Sequence, residues 1–132
     1  METINKLPTP PWDMESAAIR LKLLEDDYNS FQPEKVSANF TDNAEVRIGT
    51  SFLNGREAIK KHLTDDWAGK RSYKLSLDLW GALKGRMAVR YELEWTDNAN
   101  KEFSTFGVQV FQFNDNGLIE MNYSSYNDEE KI

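Results

Sequence analysis

Residues 73–113 read YKLSLDLWGALKGRMAVRYELEWTDNANKEFSTFGVQVFQF. Tyr73, Leu75, Leu77 and Leu79 alternate with Lys74, Ser76, Asp78 and Trp80. After a turn at Gly81–Gly85, Val89, Tyr91, Leu93 and Trp95 alternate with Ala88, Arg90, Glu92 and Glu94. A period of two marks strands with one buried face. Charge then sets the register. Trp80 opposite Ala88 brings Asp78 against Arg90 and Lys74 against Glu94, two cross-strand pairs of opposite sign. Asp97–Lys101 forms the next turn, rich in the residues turns prefer. If Asp97 faces Lys101, Arg90 faces Val108 and Ala88 faces Val110. Asn114-Asp115-Asn116-Gly117 is a third turn, followed by a last strand from Leu118 to about Tyr126.

Toward the N-terminus the period changes to that of helices. Asp13 is placed to cap a helix on which Ala17, Leu21, Leu24 and Tyr28 form one stripe, with Met14 and Phe31 widening it and Arg20 at its border. Pro33 opens a short second helix carrying Val36 and Phe40 on its inner face. Thr41–Asn43 reads as a turn and Glu45–Ile48 as a strand that Gly49–Ser51 breaks. A third helix follows Asn54-Gly55, with Ala58, Ile59, Leu63 and Trp67 on one side and Gly69 at its end. Three helices interleaved with one short strand, then a four-stranded meander, indicate an α+β domain with helices on one face of a curved sheet. Residues 1–12, with Pro8, Pro10 and Pro11, form an extended arm expected to be poorly ordered or docked along a neighbour. Residues 13–128 make the single domain, and 129–132 a charged, solvated tail.

The chain has 132 residues, enough for one domain with a real core, and sixteen aromatic residues to build it. A net charge of -6 argues against nucleic acid or an anionic membrane as partner. No apolar run is long enough for a spanning helix, no secretory signal is visible, and cytoplasmic residence is the default expectation. The absence of cysteine removes disulfides, thiolate catalysis and thiolate metal ligation. No metal or cofactor is expected.

The odd-numbered sheet face, including Leu75, Leu77, Leu79, Val89, Tyr91 and Phe111, is the more apolar and should meet the helices. The even face has an apolar centre of Trp80, Ala88, Phe106, Val108 and Val110 inside a charged rim of Asp78, Arg90, Glu92 and Glu94. An apolar centre within a polar rim suits a subunit interface, so a homodimer through that face is expected.

Several segments carry a likeness to a known family. They are Asp27-Tyr28-Asn29-Ser30, Phe40-Thr41-Asp42-Asn43-Ala44, Phe52-Leu53-Asn54-Gly55-Arg56-Glu57-Ala58-Ile59, Arg86-Met87-Ala88-Val89-Arg90-Tyr91, Glu94-Trp95 and Gly117-Leu118-Ile119. The chain resembles the nuclear transport factor 2-like superfamily, whose cone-shaped α+β fold is shared by ketosteroid isomerases and SnoaL-like cyclases. It looks most like an uncharacterised bacterial branch ending in Ser-x-Asn-Asp, here Ser125-Tyr126-Asn127-Asp128. The resemblance implies a cavity between the first helix and the odd sheet face. It also implies where isomerase chemistry would sit, and there the chain departs. Ile48 stands at the place of the proton-shuttling aspartate, Leu24 at that of the oxyanion-hole tyrosine, and Gln109 at that of its partner acid. Ile48 has no proton to exchange, so steroid isomerisation is rejected.

The ligand pocket expected from the fold comprises Tyr28, Phe40, Ile48, Tyr91, Gln109, Phe111 and Tyr126. Tyr123 is a further candidate. A tyrosine offers an apolar body with one hydroxyl, suited either to orienting a small ligand or simply to filling a core. His62, the only histidine, is read as a ring at the core's edge or as a pocket base, and Tyr126 and His62 are the candidate proton-handling groups. Asn127-Asp128 is placed to cap the cavity mouth. Arg90–Asp78 and Lys74–Glu94 are read as structural pairs at a rim, and Asp65-Asp66 as solvated helix charges. The expected function is binding of a small, largely hydrophobic molecule. The rivals are a cofactor-free isomerase, dehydratase or hydrolase, and a non-catalytic association module.

Overall fold

The computed structural model describes residues 7–132. Helix α1 (Met14–Asn29) starts at Asp13, whose carboxylate accepts from the Ser16 amide at 2.7 Å while the Ser16 hydroxyl accepts from the Asp13 amide. This reciprocal box satisfies donors that the first turn would otherwise leave open. Helix α2 (Pro33–Ser37) and helix α3 (Arg56–Ala68) complete the helical layer. Among the described residues six strands form one sheet: β1 (Phe40–Ile48), β2 (Ser51–Asn54), β3 (Lys70–Leu83), β4 (Arg86–Asp97), β5 (Glu102–Phe113) and β6 (Ile119–Glu130). Their order is β2-β1-β6-β5-β4-β3, antiparallel throughout except for the parallel β1–β6 pair. This is the expected α+β architecture, with the sheet left open and wrapped over the helices.

The odd face of β3–β5 is the inner face, where Leu75, Val89 and Phe111 join Ala17, Leu21, Leu24 and Val36 in the core. The register expected from charge holds at Asp78↔Arg90 and Lys74↔Glu94, and the one expected from the Asp97–Lys101 turn at Arg90↔Val108 and Ala88↔Val110. Two of its details do not. Gly81, not Trp80, lies opposite Ala88, because a bulge between Leu79 and Gly81 makes Trp80 the extra residue of its strand. Lys74 and Glu94 are aligned, yet the Glu94 carboxylate is taken at 3.1 Å by Lys131 and by the Ser104 hydroxyl. Arg90 and Asp78 meet only at 3.9 Å, with both side chains exposed, a weak pair.

Element ends also differ from expectation. β1 starts at Phe40 and absorbs Thr41–Asn43 through an irregularity between Phe40 and Glu45, and Phe40 therefore belongs to a strand rather than to α2. Ser51–Asn54 returns as β2, a short hairpin partner to β1. Phe31 and Met14 do not widen the buried stripe; both are exposed, and Phe31 lies past the helix at φ 58. β6 runs to Glu130, four residues beyond Tyr126, because β5 offers it partners as far as Phe103.

The described part of the arm docks on its own domain. The Trp12 amide donates to Lys84 at 2.9 Å, and its ring packs edge-on against Phe113 at 5.0 Å. The Pro8 carbonyl crosses the β5–β6 turn so closely that a Cβ on Gly117 would stand 2.5 Å from it, and Gly117 holds φ 80, so glycine is required there twice over. Residues 1–6 of the expected arm lie outside the described residues. Arg20, at the border of the sequence stripe, is fully buried. Its Nε donates to the Gly117 carbonyl at 2.9 Å and its guanidinium lies 5.3 Å from the Phe113 ring centre, which ties α1 to the same turn.

Candidate functional site

Inside the cone a cavity of about 370 Å³ opens between α1, α3 and the inner sheet face. Its wall is built from cross-strand rows of β4, β5 and β6. Val89, Gln109 and Ser124 form one row; Tyr91, Gly107 and Tyr126 the next; Leu93, Thr105 and Asp128 the third. Side chains alternate along each strand, so Ser124, Tyr126 and Asp128 share one face of β6. Gly107 is the gap that admits the Tyr91 ring: a Cβ there would lie 2.4 Å from Tyr91 Cε1.

Of the residues expected to line the pocket, Tyr28, Phe40, Ile48, Tyr91, Gln109 and Tyr126 do so. Phe111 does not. It is one row nearer the closed end, buried in the core and stacked on Phe113 at 5.9 Å. Tyr123 faces the opposite side of β6, where its hydroxyl meets Glu45 at 3.3 Å. Leu24 is a core residue outside the cavity wall, whereas Ile48 and Gln109 are both on it. His62 is half-buried on α3 and reaches the cavity. One turn further on, Asp66, its side chain still 37% exposed, reaches the cavity as well and binds Lys70 at 2.7 Å.

The polar groups are few and held in place. Asn122 donates to the Gln109 side-chain oxygen at 3.1 Å and to the Val110 carbonyl at 3.2 Å. With Oε1 of Gln109 occupied, its amide nitrogen is the group left to offer a guest. Burial pushes the Tyr91 hydroxyl up to about 12 and raises Tyr28 and Tyr73 as well, so all three are neutral donors at ordinary pH. Trp95 Nε1 donates to Thr105 Oγ1 at 2.9 Å, and Thr105 in turn donates to Asp128. Lys70 Nζ lies 4.3 Å from the centre of the Trp95 ring, while Phe103 stacks on that ring at 4.2 Å. Among the described residues, no cluster of three His, Asp or Glu side chains is arranged to hold a metal ion.

Thr105 was not singled out by the sequence, whereas Asp128, expected with Asn127 to cap the cavity mouth, does lie on the cavity wall. Asn127-Asp128-Glu129-Glu130 has the composition of a solvated tail. The signal was parity: Tyr126 inward requires Asp128 inward, provided the strand continues.

This architecture is that of the nuclear transport factor 2-like fold, an open α+β cone around a cavity. Residues 10–132 match the family model described as "Protein of unknown function (DUF1348)", and the chain belongs to that family. No curated protein matches it. Among solved structures it is similar to SalBIII, the epoxide hydrolase/cyclase-like enzyme in pyran ring formation in polyether salinomycin. That likeness has 18% identity, 86% of this chain, 95% of the other and TM-score 0.72. A computationally designed 17-OHP binder matches with 18% identity, 87% and 96% coverage and TM-score 0.74. RV0760c from Mycobacterium tuberculosis, in complex with estradiol-17beta-hemisuccinate, matches with 18% identity, 84% and 93% coverage and TM-score 0.73. Likeness at these identities establishes the fold, and fold alone does not carry chemistry. Among the described residues no helix is long and apolar enough to cross a membrane.

Proposed function

We propose that the protein binds a small, largely hydrophobic molecule inside the cone. The cavity carries this reading. Its roughly 370 Å³ falls in the range of ligand sites, and aromatic and aliphatic side chains surround a few positioned polar groups. Solved proteins of similar fold include one designed to bind 17-OHP and one in complex with estradiol-17beta-hemisuccinate, which is consistent with small organic guests in this architecture. Protein purified directly from cells should retain such a molecule in native mass spectrometry. At a concentration a hundredfold above Kd, an added ligand should raise Tm by roughly 5–10 °C. Ile48→Trp, which fills the cavity from its β1 wall, should abolish that rise while leaving the fold intact. An undiminished rise in this variant would place the binding elsewhere and end the proposal.

A catalytic version rests on His62 and Tyr126 facing the same cavity. Any turnover found should fall at least about a hundredfold in His62→Ala/Tyr126→Phe, the scale of general acid–base help. Undiminished turnover would remove that version.

The outer sheet face supports a second element, a two-fold homodimer. Trp80, Val108, Val110 and Phe106 are 68%, 59%, 50% and 46% exposed, an apolar surface unusual for a monomer. Light scattering should give twice the chain mass, and Phe106→Glu/Val108→Glu should reduce it to one. A monomeric parent at high concentration would exclude the dimer.

A further inference from the structure

We infer that the molecule held in the cone carries a cationic nitrogen, received at the cavity mouth by Asp128 among the tyrosine rings. This rests on the cone being a binding site and adds the chemical class of its ligand. The argument begins with charge. Among the described residues, the ionisable side chains on the cavity wall, tyrosines aside, are His62, Asp66, Lys70 and Asp128. Asp66 and Lys70 neutralise one another at 2.7 Å. Among the described residues no ion pair reaches Asp128. One uncompensated carboxylate therefore faces the guest.

That carboxylate is also oriented. Thr105 donates to its Oδ1 and is itself anchored by Trp95 Nε1, which leaves Oδ2 for a ligand. Tyr126 and Tyr91 form the next cross-strand row, one step along the wall from the row of Asp128. Rings of this kind attract cations through their electron-rich faces, and the protein already uses the interaction where Lys70 lies over Trp95. The net charge of -6 draws cations toward the mouth and repels anions. An apolar cavity with one oriented carboxylate at its rim fits a compact ammonium compound whose hydrocarbon part points inward.

Isothermal titration with three probes of one aromatic skeleton tests this: benzyltrimethylammonium, benzyl alcohol and benzoate. The cation should bind about tenfold tighter than the alcohol, and benzoate weakest. Asp128→Asn, an exposed substitution that keeps an oxygen for Thr105, should reduce the cation to within about threefold of the alcohol. Glu94→Gln removes the same charge from the outer face and should leave the tenfold preference unchanged. Equal loss in both variants would mean bulk charge alone, and would overturn the assignment. So would benzoate binding as well as the cation, or a preference that survives Asp128→Asn. In each of those cases, alcohol binding that Ile48→Trp abolishes would keep the cavity as a binding site without its cationic specificity. If none of the three probes binds, both readings fall.

Discussion

Gly107 and Arg20 constrain the interior in different ways, one by space and one by charge. Gly107 leaves room for the Tyr91 ring, and any larger side chain must push that ring out of the cavity wall. Gly107→Val should cost roughly 1–3 kcal/mol in urea unfolding, as overpacking does, and should weaken ligand binding in step. In a Tyr91→Ala background the same change should cost much less, since the two residues share one space. Arg20 is a different case, a guanidinium with no exposed surface; among the described residues only its Nε is bonded to protein, and Nη1 and Nη2 find no partner there. Desolvation lowers its pKa to about 10. Replacing a buried charge by an apolar side chain of similar volume is often neutral or better. Arg20→Met should therefore change stability by no more than about 1 kcal/mol, while Arg20→Ala should cost about 3 kcal/mol through the cavity it leaves. Chemical denaturation of the two variants reads the difference directly.

At the scale of elements, β3 is an edge strand, and a bare edge invites pairing with another chain. Helix α1 covers part of it with side chains that imitate a neighbouring strand. Asn29 donates to the Leu75 carbonyl at 2.9 Å and accepts from the Leu75 amide at 2.8 Å, and Glu25 accepts from the Leu77 amide at 2.8 Å. These bonds hold the helix to the sheet at the height of the cavity and occupy the edge. Asn29→Ala leaves both Leu75 groups unpaired, which should cost about 1–3 kcal/mol. Aggregation followed by light scattering at elevated temperature should start sooner than in the parent. Unchanged stability would mean that water replaces Asn29 without loss.

For the molecule as a whole, the buried tyrosines make the fold sensitive to alkali. Burial raises Tyr28, Tyr73 and Tyr91, Tyr91 to about 12, against about 10 in an unfolded chain. Between those values the unfolded chain gives up tyrosine protons that the folded chain keeps. Stability is thus intact below pH 10 and falls as pH rises toward 12. Arg20 acts in the opposite sense over part of this window, because its lowered pKa makes the folded chain release that proton first. Three tyrosines against one guanidinium give a net loss. Calorimetry from pH 8 to pH 11.5 should show a falling Tm, and Arg20→Met should steepen the fall. A Tm independent of pH would mean that the hydroxyls ionise as readily in the folded chain as in water.

Much of this was legible in the chain because alternation and charge are local. Tyr73–Phe113 gave its strands, faces and most of its register without reference to anything distant, and Ala17, Leu21 and Leu24 marked the buried side of α1. Most of the misjudged features depend on a partner outside their own stretch of sequence. Trp80 became a bulge, Lys131 took Glu94 from Lys74, Phe111 slid into the core, and Arg20 was drawn inside by the β5–β6 turn. Asp128, expected at the cavity mouth, lies on the cavity wall for a reason that its own stretch of sequence does not show. Its neighbours look like a tail, and only pairing with β5 keeps Asn127–Glu130 extended and turns that carboxylate inward. The amino-acid order by itself determined the elements and which face of each is apolar, since those follow from side-chain periodicity. The tertiary structure alone decided which polar groups meet in the cavity, because that depends on how far β6 runs along β5 and on what each strand finds beside it.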